Sequence, residues 1–461
     1  MKTQALTAFA VAILGVAFAA TQVAAKVPAS QAARLGKDLT FIGAEKAGSK
    51  SGIPAWTGRK IDGSKMLVNY DGGPLPDLYP SDKPLYTITP SNMGKYGKQL
   101  TPGHKAMLET YPKSYFLNVY KSRRSCRYPD FVYDASVRNA KVGDLVDGGN
   151  GISEAIMSSP FPIPNNGLEI IWNHTLRYRG RRIARDFNYA VPTASGDYTL
   201  TFTRDEVLFP YSDPKNQRAE DLNNISIYFV AYTSAPAIRA GGLVLVHETL
   251  NMAKEGRKAW SYNRGLGRIT RVSNIAYDNP ITNGDGMGTS DQYDGYNGAP
   301  DRYDWTVLGK EEKLSQQNNY RAVLGNYEEL LKPGHTNPSV HRYELRRQWV
   351  VEGVVDEARA RHLYLRRVLR LDEDSWQITG GELYDGRSEI WRVQEVGQAP
   401  DYRPHAQLCF TTGGEFIYDR RARRYMGLAM KSNRPANLVE EGLEYLQPKY
   451  YTSANASKLG R

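Results

Sequence analysis

The sequence predicts a mainly β protein: a large curved antiparallel sheet, or half-open β-barrel, with a few helices acting as plug or lid. Three observations favour this fold. The 461 residues contain 31 tyrosines beside 12 phenylalanines and 7 tryptophans, and tyrosine prefers strands and half-exposed surfaces. From residue 198 onward, apolar residues recur with a period of two. Short turns separate these segments, which is typical of an antiparallel meander.

Eight segments in the second half of the chain have strand character. They are 198–202, 226–232, 242–247, 257–262, 343–355, 362–371, 388–396 and 407–418. In 362–371, leucines alternate with tyrosine and arginines, which predicts one apolar face and one solvent-facing side. The remaining long connection, 278–304, is rich in Asp, Asn and Gly. We interpret it as a functional loop.

Two helices are predicted. Thr101 and Pro102 favour a helix start and Pro112 ends it, so we expect a short helix over 102–111. A second helix, 167–178, has apolar residues at helical spacing and would pack on the apolar face of the sheet. The rest of residues 26–165 is expected to form an extended, loop-rich wrap. With no linker between strands, 26–461 is predicted to be a single domain, within which 166–461 forms the helix and sheet.

The first 25 residues have the pattern of a cleavable signal peptide. Lys2 precedes an apolar run from Ala5 to Ala20, and small residues end at Ala25, before Lys26. A membrane anchor is the alternative, but this run is shorter than the ~20 residues a spanning helix needs. The mature protein is therefore expected to be periplasmic and not membrane-spanning. The surplus of Lys and Arg in the full chain (60 against 49 Asp and Glu) then points to anionic lipids or acidic proteins rather than nucleic acid.

No catalytic, nucleotide-binding or zinc motif is found, so we predict a protein without enzymatic activity or cofactor. An enzyme that uses carboxylates of 278–304 on envelope lipids or glycans is a less favoured alternative. The same loop offers Asn283, Asp285 and Asp291 as calcium ligands, although turn formation explains them equally. Cys126 and Cys409 either pair or remain two buried thiols.

Several ordered motifs resemble the bacterial family called domain of unknown function 1329. They are Leu35–Thr40, Ile53–Gly58, Pro160–Leu168, Trp172–His174, Ala259–Asn263, Asp301–Trp305, Arg342–Leu345, Trp349–Glu352 and Asp372–Trp376. The resemblance implies a periplasmic protein with a LolA/LolB-like fold, a half-open β-barrel with a helical lid and an apolar cavity. It also implies a resistance–nodulation–division transporter and an outer-membrane protein as partners. The family has no established catalytic residues to carry over.

We therefore expect a carrier or chaperone for a lipid or other hydrophobic ligand. Its candidate ligand-binding residues are Trp260, Tyr262, Trp349, Val351, Leu363, Leu365, Trp391 and Val393, each of which could instead be ordinary core. The alternative function is an adaptor that joins an inner-membrane transporter to an outer-membrane protein. Its candidate docking residues are Arg420, Arg421, Arg423 and Arg424, which could instead form a solvated, ion-paired strand face.

Overall fold

The computed structural model describes residues 27–460 except 62, 273–276, 359, 410–411 and 432–436. The predicted signal peptide, 1–25, lies outside the described residues. Within them, no helix is both long enough and apolar enough to cross a membrane.

Sixteen of the eighteen strands found in the described residues form one large sheet. The strands are β1 (Tyr86–Ile88), β2 (Leu117–Tyr120), β3 (Asp144–Val146), β4 (Gly151–Ser153), β5 (Arg182–Ala190), β6 (Thr201–Leu208), β7 (Ile225–Ala235), β8 (Leu243–Thr249), β9 (Lys258–Asn263), β10 (Arg268–Arg271), β11 (Tyr303–Gln316), β12 (Tyr343–Val355), β13 (Arg366–Asp372), β14 (Ile378–Tyr384), β15 (Ile390–Gln398), β16 (Thr412–Asp419), β17 (Arg424–Met430) and β18 (Leu438–Val439). Strands β3 and β4 form a separate pair.

The order of the sheet divides it into two runs of strands. The first run is β5-β6-β7-β8-β9-β10 and the second is β11-β12-β13-β14-β15-β16-β17, joined side by side where β17 pairs with β5. Neighbours are antiparallel, except that β2 joins β12 in parallel, so the sheet is mixed rather than purely antiparallel. The described strands do not close into a barrel, which confirms the predicted mainly β, half-open architecture.

Seven α-helices lie in the described residues: α1 (Ala29–Ala32), α2 (Pro102–Thr110), α3 (Asp130–Val142), α4 (Gly167–Leu176), α5 (Tyr320–Leu324), α6 (Tyr327–Leu330) and α7 (Ser453–Leu459). Helices α2 and α4 are the two predicted ones. The Thr101 hydroxyl accepts the His104 amide at 3.0 Å, and Asn166 caps α4 in the same way. Helix α3 was not predicted, because several of its buried positions are small residues that contrast weakly with polar ones.

Strand register defines two faces of the sheet. We call the side that carries Val207, Val351, Leu369 and Ile417 the inner face, and the opposite side the outer face. Helices α3 and α4 pack with the inner face in the largest apolar cluster. On the outer face, α2 covers the second run. The C-terminal segment 443–459, including α7, covers the first run there.

Strand β13 differs from its prediction in both extent and exposure. It begins at Arg366 rather than at residue 362, and both of its faces are buried. The solvent-facing side expected for Arg370 is wrong: the guanidinium donates to Glu382 at 2.6 Å beneath α2. A carboxylate on the neighbouring strand β14, diagonally opposite Arg370, lets a covered face contain an arginine.

The two cysteines form a disulfide. Cys126, just before α3, is bonded to Cys409, between β15 and β16, across a separation of 283 residues. The bond ties the N-terminal wrap to the second run of the sheet. Of the two alternatives left open by the sequence, the structure contains the pair.

Candidate ligand-binding face

Bulky side chains fill the space between α4 and the second run of the sheet. Trp172 of α4 and Trp376 are almost wholly buried, at 2% and 0% exposure. Their indole N–H groups donate to Gly149 O at 2.9 Å and to Ile42 O at 3.0 Å. The Trp349 ring stacks on Trp376 with centroids 6.2 Å apart. This half of the inner face is therefore a packed core.

The polar side of α4 is buried as well. Asn173 accepts from the Phe161 amide at 2.8 Å and donates to the Phe161 carbonyl at 2.7 Å. Glu169 accepts from the Asn165 amide at 2.6 Å. Because Asn173 and Glu169 have these partners, both polar side chains can be buried with the helix.

The acidic loop lies inside the half-open sheet. We call residues 277–302 the plug segment. Its Ile281 and Met287 pack on Ile417, Met426 and Leu428, which project from the inner face of β16 and β17. The segment thus covers strands of the second run.

Ion pairs fix the middle of the plug segment. Asp291 lies 2.8 Å from the Arg367 guanidinium and 3.1 Å from His362. Burial opposes ionisation of Asp291, but Arg367 and then His362 outweigh it and lower its pKa to about 2. Asp291 and Arg367 are at most 1% exposed, so a substrate cannot reach this carboxylate in this arrangement.

A second ion-pair cluster involves Asp294. Its carboxylate contacts Arg177, directly after α4, at 2.6 Å and Arg179 at 2.8 Å. The Asp294 amide donates to Glu415 on β16 at 2.9 Å. Burial, reinforced by the charge of Asp294, raises the pKa of Glu415 to about 8. Glu415 is therefore largely protonated at neutral pH.

The three candidate calcium ligands do not converge. Asp285 faces Arg424 at 3.0 Å, whereas Asp291 faces Arg367. Asn283 and Asp285 adopt left-handed backbone conformations, which Asn and Asp tolerate in turns. In the described part of the chain, no group of three His, Cys, Asp or Glu side chains could hold a metal ion.

Two clefts in the described structure each enclose about 20 Å³. One lies between α2 and strands β14 and β15, beside His104 and Glu382; the other lies between 59–61 and 400–408. A space of this size holds about one water molecule. Both are far below the ~300–1,000 Å³ of a typical small-molecule site.

The inner face of the first run differs from that of the second. Here register aligns Phe229 with Val246 and Ala231 with Val244, and these side chains are half-buried. We call these four residues and their neighbours on the same face the inner strip. The inner strip consists of Phe187, Thr203, Phe229, Ala231, Thr233, Val244, Val246 and Ser261. The Arg185–Asp205 ion pair, at 2.5 Å, interrupts the apolar surface of the strip where it crosses β5 and β6.

The eight candidate residues from the sequence do not form one surface. Trp349 and Val351 lie on the inner face, within the packed core. Trp260 and Tyr262 lie on the outer face beneath the C-terminal segment, and Val393 packs against α2. Leu363 and Leu365 occupy the turn before β13, and Trp391 a bulge in β15. Their contact with a ligand stays a prediction.

Sequence reasoning missed the inner strip because β7 and β8 are apolar on both faces. Alternation alone could not tell which face is covered by the C-terminal segment. The larger aromatic residues, Tyr228, Tyr232 and Trp260, occupy the covered outer face.

The arginines proposed for docking lie in the β16–β17 turn, except Arg424, which begins β17. Arg420 donates to Thr110 and to the Ile390 carbonyl, at 3.0 and 2.9 Å. Arg421 pairs with Asp385 and Arg424 with Asp285, while Arg423 is exposed. Docking of a partner at these arginines stays a prediction.

These features define a class: a large half-open sheet whose inner face is covered over the second run and over one end of the first run, and is partly open over the rest of the first run. The model of the family described as protein of unknown function DUF1329 matches residues 87–456. The chain belongs to this family. It is 42% identical over 423 residues to the uncharacterized protein PA3922 of Pseudomonas aeruginosa, covering 91% of each chain.

Solved structures similar to this chain share little sequence with it. A domain described as an outer membrane lipoprotein-sorting protein from Vibrio parahaemolyticus is 14% identical, with a TM-score of 0.43, covering 64% of this chain and 98% of that one. A DUF1329 family protein from Desulfovibrio piger is 12% identical, with a TM-score of 0.39, covering 59% and 92%. The LolA superfamily protein NE2245 from Nitrosomonas europaea is 13% identical, with a TM-score of 0.36, covering 62% and 98%.

Proposed function

We propose that this chain is an exported carrier of the bacterial envelope that holds an elongated apolar molecule, such as a lipid acyl chain, along the inner strip. The observation that carries the proposal is the contrast between the two runs. Helix α4 and the plug segment cover the second run, whereas the inner strip of the first run, apart from the buried Thr203, is left half-exposed. A concave apolar surface that the chain does not cover itself is typical of a binding site.

Export is supported by two independent features. The N-terminal pattern is that of a signal peptide. The Cys126–Cys409 disulfide suits an oxidising compartment such as the periplasm and is rare in the cytosol.

The ligand we propose lies along a surface rather than inside a closed cavity. The clefts of about 20 Å³ could not hold an acyl chain. On the inner strip, Phe229, Val244 and Val246 would contact the apolar part of the ligand. Binding would then be driven by burial of apolar area, at about 25 cal/mol per Å².

Binding of the fluorescent apolar probe N-phenyl-1-naphthylamine by the mature protein, 26–461, tests the proposal. We expect saturable binding, and we expect Val244→Asp with Val246→Asp to weaken it about tenfold, because two charges would need desolvation. The control is Val354→Asp on the outer face of β12, where Val354 is 44% exposed. It should bind the probe like the wild type. Wild-type protein that binds no probe, or equal losses in all variants, would contradict the proposal.

A further inference from the structure

Two hairpin turns of the first run lie side by side at one end of the sheet. Residues 236–242 connect β7 to β8, and 264–267 connect β9 to β10. Since these four strands are successive antiparallel neighbours, both turns lie at the same end. They also touch: the Arg264 guanidinium donates to the Ala240 carbonyl at 3.4 Å. We call them the paired turns.

Each of the paired turns exposes a large aliphatic side chain. Ile238 is 92% exposed and Leu266 is 60% exposed. A single exposed aliphatic residue is ordinary on a protein surface. Two of them on touching turns form an apolar projection, and such a projection is typical of an interaction site.

Within strands β7–β10 and their turns, the charged side chains next to the paired turns are all basic. Arg239 and Arg264 belong to the turns, and Arg268 and Arg271 follow in β10, with Arg264, Arg268 and Arg271 exposed. Between residues 225 and 272 the acidic residues are Glu248 and Glu255. Both lie at the opposite end of the strands, where they pair with Arg257 and Lys258. The paired turns therefore present a basic surface around an apolar projection.

We infer that the paired turns dock this protein on the surface of an anionic phospholipid bilayer. Ile238 and Leu266 enter the headgroup region, and Arg264 and Arg268 face the lipid phosphates. A bilayer accepts protruding aliphatic side chains without a shaped pocket, and each basic residue near an anionic surface adds attraction. An acidic protein surface would complement the arginines alone and would need a matching apolar pocket.

This orientation brings the inner strip to the membrane. Thr233, Val244 and Ser261 occupy the ends of their strands nearest the paired turns. A docked molecule would thus hold the open end of the strip against the lipid. The docking itself rests on the turns alone and does not require that the strip bind a ligand.

Co-sedimentation of the mature protein with vesicles tests the inference. We expect binding to phosphatidylcholine vesicles that contain about 30% phosphatidylglycerol to exceed binding to pure phosphatidylcholine about tenfold and to fall with added salt. Ile238→Ser with Leu266→Ser should weaken binding about tenfold. Arg264→Glu with Arg268→Glu should abolish the preference for anionic vesicles.

Matched controls exist elsewhere on the surface. Val68 and Leu85 are 76% and 65% exposed in the N-terminal wrap, and Val68→Ser with Leu85→Ser should bind vesicles like the wild type. Lys37→Glu with Lys50→Glu makes the same change in net charge at exposed sites and should bind like the wild type.

Three results would overturn the inference. The first is that the wild-type protein does not bind anionic vesicles. The second is that both paired-turn variants bind vesicles as well as the wild type does. The third is that the control variants lose as much vesicle binding as the paired-turn variants. Thermal unfolding of each variant shows whether it is folded. Binding of N-phenyl-1-naphthylamine should be unchanged in the paired-turn variants, so failure of docking is distinguishable from failure of the carrier function.

Discussion

Buried arginines shape this protein at the scale of single residues. Arg177 and Arg367 are 1% and 0% exposed, and each meets an aspartate of the plug segment. Burial of these pairs could not be predicted, because the partners lie roughly 75 to 120 positions away along the chain.

Glu415 should make stability depend on pH. Its folded-state pKa, about 8, lies above the usual value because of burial and the nearby Asp294. Its contribution to stability is therefore complete below its unfolded pKa, about 4.5, and is lost as the pH rises through about 8. We expect Glu415→Gln, which stays neutral, to gain in melting temperature relative to the wild type between about pH 5 and 9, by several degrees.

Differential scanning fluorimetry across this pH range measures the effect. The exposed Glu357 supplies the control, since Glu357→Gln should follow the wild-type curve. A constant difference between Glu415→Gln and the wild type over the whole range would refute the predicted linkage.

At the scale of elements, segments rich in buried apolar residues were predicted better than segments with many exposed charged residues. Strand β12 was predicted with its observed bounds, Tyr343–Val355, because it is rich in the strand formers Tyr, Trp and Val. Strand β11, the longest in the described residues, was missed: it is an edge strand whose middle carries charged, partly exposed side chains such as Lys310 and Glu312. Helix α4 was predicted from one apolar face, although the structure buries its polar face too.

Truncation of Trp172 tests whether α4 fills the inner space of the second run. We expect Trp172→Ala to lower the free energy of unfolding by about 3–5 kcal/mol, because it removes a buried ring and leaves a cavity. Urea denaturation measures the loss. Trp391→Ala, at a half-buried position, should cost clearly less, and equal losses would show that the space under α4 is not tightly packed.

At the scale of the whole molecule, the disulfide joins parts of the chain that sequence reasoning treated separately. Its pairing could not be deduced from two cysteines, and neither could the pairing of β17 with β5, because both contacts bridge long stretches of chain. Which face of the first run is covered depends on where the C-terminal segment packs, which is another long-range contact, so the inner strip was out of reach of local patterns.

Loss of the disulfide should destabilise the entire fold. Because the bond closes a very long loop, Cys126→Ala with Cys409→Ala is expected to lower the free energy of unfolding by about 2–5 kcal/mol. Chemical denaturation with and without reductant measures it, and reductant should leave the double variant unaffected. Detection of two free thiols in the native, oxidised protein would contradict the pairing.

The junction between β5 and β17 has a consequence for how the chain matures. Strand β6 follows β5 directly in the chain and can pair with it at once. Strand β17, the neighbour on the other edge of β5, is synthesised roughly 240 residues later, so this edge of β5 stays unpaired during most of synthesis and export. An open strand flank invites pairing with another chain. The period before β17 arrives is thus when this protein is most exposed to misassembly, and when a holding chaperone would serve it best.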